Sequence, residues 1–159
     1  IEIAALYDLM PSLFEYPEDF DKETFVAIEF SAPRGEPDKD KLSRCLRTFN
    51  QSPHAQDWAF DLDERKYHLV SSHEAERHFS YVIREFIRYF DGRAVDDELL
   101  EKLRSVFFRG EWGGFFSNHS LMTETGGSFS CVRYPYDHEF FIAAVGDASV
   151  RILNCFISD

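Results

Sequence analysis

The sequence predicts a single α+β domain spanning residues 1–159, a mostly antiparallel sheet with about three helices packed on it and a C-terminal β-meander. Three observations point there. Residues 72–92 carry apolar side chains at a 3.6-residue period. A second helical pattern follows at 97–107. From Glu111 onward the rhythm changes to short apolar runs broken by glycine. Helices in the middle of a chain that otherwise reads as strands suit an antiparallel sheet with helices laid on it.

Taken in order, residues 1–14 are ambiguous, because Ile1, Ala4, Ala5, Met10 and Leu13 could line a helix that Pro11 must end or kink. Thr24–Ala32 alternates as a strand, with Phe25, Ala27 and Glu29 on one face and Val26, Ile28 and Phe30 on the other. Pro37 suits the first turn of a helix reaching Asn50, whose buried stripe is Leu42, Cys45, Leu46 and Phe49. Two strands are then expected, Asp57–Asp63 and Lys66–Ser71, joined in a hairpin by Asp63, Glu64 and Arg65.

The clearest helix opens at Ser72. Ala75, Phe79, Val82, Ile83, Phe86 and Phe90 share one face, and Arg77, Tyr81, Arg84 and Arg88 form a stripe outside it. Ser71 and Glu74 have capping-box spacing, Ser72 is an alternative cap, and Gly92 suits a left-handed stop. Asp96 caps the next helix, which buries Leu99, Leu100, Leu103, Val106 and Phe107. The remaining strands fall at Trp112–Ser117, Ser128–Tyr134, Glu139–Val145 and Ser149–Ile157, with Gly146–Asp147–Ala148 turning the last hairpin. The final strand is apolar on both faces and is expected to be central or covered on both sides.

The formal charge is −12. Such a balance opposes binding to phosphate backbones or anionic membranes and suits a basic protein partner. The acids are clustered. Over residues 1–23 seven carboxylates, among them Glu15, Glu18, Asp19, Asp21 and Glu23, face Lys22 alone, which places half of the net charge in the opening segment. Asp57, Asp61, Asp63 and Glu64 follow with no Lys or Arg over residues 53–64, and on a strand Asp57, Asp61 and Asp63 would form an anionic ladder on one face. These nine carboxylates are the expected partner-facing surface, with Trp112 as the aromatic candidate for an interface anchor.

Signals for chemistry are weaker. His73 and His78 are five apart rather than the four that brings two imidazoles to one metal, so they do not make the zinc-hydrolase helix motif. Asp137, His138 and Glu139 read as turn residues. The glycines around Trp112 and at 126–127 lack the strand-before, helix-after setting of a phosphate loop. No metal, cofactor or catalytic group is expected from the motifs. Cys45, Cys131 and Cys155 have no metal spacing and suit reduced thiols in a cytoplasmic protein, with a Cys131–Cys155 bridge as the alternative in an exported one. No apolar run reaches the length of a membrane span and none reads as a signal peptide, although the chain begins at Ile1 rather than methionine and is compatible with trimming.

The functional expectation is an acidic module that docks on and neutralises a basic partner protein, a toxin or nuclease being the type, as an inhibitor or immunity protein does. The alternative is a small enzyme or ligand-binding domain with a pocket assembled from distant residues around His119, with Trp112 and Tyr134 nearest to it in pattern.

Overall fold

The computed structural model describes residues 3–5, 25–55, 58–91, 96–119, 131–133 and 139–156. Within them six strands form one sheet: β1 (Ile3–Ala5), β2 (Phe25–Ser31), β3 (His68–Val70), β4 (Gly114–Ser117), β5 (Glu139–Val145) and β6 (Ser149–Phe156). Every pairing is antiparallel and the order is β1-β2-β6-β5-β4-β3. Three helices complete it, α1 (Asp38–Asn50), α2 (Ser72–Asp91) and α3 (Asp97–Phe107).

The helices lie on both faces because both faces are apolar. Ala27, Phe140, Ile142, Leu153 and Cys155 pack on Phe79, Val82 and Ile83 of α2 and on Leu100, Leu103 and Phe107 of α3. The alternate residues Val26, Ile28, Phe30, Phe141, Ala143, Val145, Val150 and Ile152 pack on Leu42, Cys45, Leu46 and Phe49 of α1. The period-2 alternation of each strand thus supplies two cores. Strand β6 lies between β2 and β5, in the interior of the sheet and covered above and below, as its two apolar faces require.

The helix ends follow their chemistry. Ser71 Oγ accepts the Glu74 N–H (3.1 Å) while its hydroxyl donates to the Glu74 carboxylate, so Ser71 rather than Ser72 is the cap. Asp96 accepts the Leu99 N–H at 2.7 Å. On α2, Arg77, Tyr81, Arg84 and Arg88 are exposed as the stripe predicts, Arg84 pairing with Asp97 and Arg88 with Glu85. The side chains of Phe86 and Phe90 lie outside the described set.

Two expectations need correction. Residues 58–63 are not a strand, and β3 pairs with β4 rather than closing a hairpin with that segment. The backbone partners there are already taken: the Asn50 side chain bonds both the N–H and the carbonyl of Phe60 (2.7 and 2.9 Å), and the Asp61 N–H donates to the Val132 carbonyl. The next carboxylates then hydrogen-bond their own backbone, a habit of aspartate that competes with a sheet ladder. Residues 131–133, placed within a strand by the pattern, are irregular. The opening ambiguity resolves in part, since residues 3–5 are strand.

No cysteine is in a disulfide; Cys45 and Cys155 are buried and Cys131 is half-buried. Burial pushes the Cys45 thiol up to about 12 and raises that of Cys155 further. Among the described residues no helix is long and apolar enough to cross a membrane.

Candidate functional site

An open cleft of about 620 Å³ lies where the first turn of α1, the segment before β4 and the β5–β6 turn meet. Its chemistry is set by Glu36, Asp38, Lys41, Glu111, Trp112 and Asp147. Lys41 is on the buried stripe of α1, four residues before Cys45, and is only 2 % exposed. Its ammonium donates to the carbonyls of Gly146 (2.7 Å) and Asp147 (2.8 Å), so the one lysine of the cleft is turned toward the hairpin. Glu36 takes Arg44 on one oxygen at 2.7 Å; its other oxygen is buried without a hydrogen-bond partner among the described residues. Asp38 sits in the positive first turn of α1. The Asp147 carboxylate lies 3.5 Å from the exposed Arg34. Carboxylates therefore outnumber the one lysine of the cleft, whose ammonium is held by the carbonyls of its β5–β6 wall.

Trp112 forms one wall and is fixed from two sides. Its Nε1–H donates to the Phe108 carbonyl (3.0 Å), and the Arg151 guanidinium lies 5.0 Å from the ring centre. Arg151 in turn bonds Glu29, its register partner on β2, and donates to the carbonyls of Val106, Phe107 and Arg109 at the end of α3. Gly146 leaves little room in this packing: a Cβ there would stand 3.0 Å from the Glu111 carbonyl oxygen and 3.2 Å from the Trp112 ring.

Of the carboxylates expected to face a partner, Glu15, Glu18, Asp19, Asp21, Glu23 and Asp57 lie outside the described residues. Asp61, Asp63 and Glu64 are placed, and no ladder links them. Asp61 accepts Lys66 at 2.7 Å, Asp63 takes Arg65 through both oxygens, and Glu64 is 3.7 Å from Lys39. The Lys66 hydrogen bond holds the Asp61 carboxyl below the usual range, and the Arg65 hydrogen bond does the same for Asp63. Exposed pairs of this kind add ~1 kcal/mol or less, but they occupy the oxygens a partner would need.

His119 follows β4 and its ring lies against His78 of α2, centroids 4.7 Å apart, and stacks on Phe140 at 5.8 Å. Burial pushes His78 down to about 3, with the neighbouring His119 adding to it, and burial also lowers His119. Neutral imidazoles of that kind are weak general bases at neutral pH. Tyr134 and His138 lie outside the described residues.

The sequence pattern passed over three buried polar groups. Glu139 is fully buried at the head of β5, with both carboxylate oxygens accepting the N–H groups of Val132 and Arg133. Arg133 runs between the Phe49 and Phe60 rings to the carbonyls of Trp58 and Ala55. His78 completes the set, and only its position three residues after Ala75 and four before Val82 signals that it points inward. Comparison with family models, with curated proteins and with solved structures finds no match to this chain.

Proposed function

We propose that the protein is an acidic binding module that docks on a basic partner protein and neutralises it, in the manner of an inhibitor or toxin-immunity protein. The observation that carries this reading is charge placement. Against a net −12, the cleft presents Asp38, Glu111 and Asp147 beside the fixed indole of Trp112. Carboxylates beside an aromatic face suit the guanidinium or ammonium groups of a basic surface. The acidic segment at 15–23 would extend that attraction and steer the approach. A pocket around His119 has less support, since its nearest titratable neighbour is an imidazole too acidic to serve as a base.

Cross-linking in the source cells, followed by salt-titrated association kinetics with the purified partner, tests the proposal. The partner should be basic, and its association rate should fall about tenfold or more between low and physiological salt. Charge removal in the cleft by Asp38→Asn with Glu111→Gln should slow association further without changing the fold. An acidic partner, or association indifferent to salt, overturns the reading.

A further inference from the structure

We propose that His78 and His119 form a binding site for a divalent transition-metal ion, of the Zn²⁺ or Cu²⁺ type, that clamps α2 to the end of β4. The site is independent of the acidic cleft. His78 is 8 % exposed, and its Nε2 has no hydrogen-bond partner among the described residues. A buried polar atom left in that condition calls for a ligand, because leaving it bare costs about 1–3 kcal/mol. The group nearest to it in kind is a second imidazole. Two rings on one tetrahedral ion, with metal–nitrogen bonds of about 2.0–2.1 Å, have centroids about 5 Å apart. The centroids of His78 and His119 are 4.7 Å apart, with planes inclined at 55°.

The surroundings fit as well. His119 is hydrogen-bonded to the Glu139 backbone, the outer partner that fixes a ligating imidazole and its tautomer. Phe140 packs on both rings, at 5.5 and 5.8 Å, and Tyr81, half-exposed one turn beyond His78, lies against Phe140. The pair is therefore oriented and sheltered, with His78 buried and His119 partly exposed. Burial keeps both imidazoles neutral, the form a metal needs. With two protein ligands, water completes the coordination.

The test uses protein stripped with a chelator and re-buffered at pH 7.5. Addition of Zn²⁺ should raise the Tm, and calorimetric titration should give one equivalent bound. With one equivalent of Cu²⁺, electron paramagnetic resonance should show coupling to two imidazole nitrogens. His78→Phe and His119→Phe, which keep an aromatic ring but remove the nitrogens, should each weaken binding at least about tenfold. His73→Ala should leave it within about twofold, since it removes a histidine outside the pair. No Zn²⁺-dependent shift in the native protein, or binding that survives both phenylalanine variants, overturns the proposal. Should a variant fail to fold, the native Cu²⁺ spectrum decides: coupling to one nitrogen or none overturns it.

Discussion

Glu139 has no solvent exposure, yet it carries a carboxylate at the start of a strand whose other residues are apolar. What keeps it there is the pair of backbone N–H groups of Val132 and Arg133, which converge on its two oxygens at 2.7–3.3 Å. The same residue's carbonyl accepts from Asn118, whose own oxygen accepts the Phe141 N–H, so beyond the end of β4 this edge of β5 is held by side chains, while β6 pairs with its other edge. Glu139→Ala should therefore cost about 3 kcal/mol, because two buried amides lose their acceptor, while Glu139→Gln, which keeps one acceptor, should cost less. Urea unfolding midpoints measure both. An alanine variant within about 0.5 kcal/mol of the native protein would show that water replaces the carboxylate. Such residues are illegible in sequence for a physical reason: alternation reports polarity, and a satisfied buried glutamate looks the same as an exposed one. His78 and Lys41 are hidden likewise, although each lies in register with an apolar stripe that should have counted against exposure.

At the scale of elements, helices α2 and α3 were readable almost to the residue, since their period, caps and first-turn charges all agree. Strands β2, β5 and β6 were readable from alternation and turn residues. The segment 58–63 was not, because alternation cannot say whether backbone partners remain, and here Asn50 and Val132 hold them. Nor could sequence bring the cleft together, because its residues come from three separate stretches. The two cations that join helices to the sheet also escape pattern reading. Lys41 ties α1 to the β5–β6 turn on one face, and on the other Arg151 closes the end of α3 and backs Trp112. Replacing Arg151 by Met keeps the stem but leaves three carbonyls and Glu29 without their donor. The expected loss is about 2–4 kcal/mol, with faster amide exchange concentrated in the last turn of α3. A uniform change across all three helices would instead mean that Arg151 acts only through global stability.

For the whole molecule, acid sensitivity separates the histidine pair from the carboxylates. Both imidazoles are lowered by burial, His78 to about 3, so between that value and the ordinary 6.5 the unfolded chain binds protons that the native protein refuses. Stability must then fall as pH drops below about 6.5, on the order of several kcal/mol if the whole interval is crossed. Asp61 and Asp63, lowered by Lys66 and Arg65, join only as pH falls below about 4, where their unfolded forms protonate. Relief of the repulsion within a −12 chain works the other way, but it too waits for carboxylate protonation. On the alkaline side Cys45, raised to about 12, and Cys155 and Tyr67, raised by burial, stay protonated while the unfolded chain ionises, so stability declines again above about pH 8.5. Guanidinium unfolding across pH 4.5–10, with chelator present so that no metal holds the imidazoles, should give a maximum between these limits. His78→Phe should flatten the limb from pH 6.5 to 5 and leave the alkaline limb in place. If the acid limb keeps its slope in that variant, the loss arises elsewhere, and His78 contributes nothing to the molecule's response to acid.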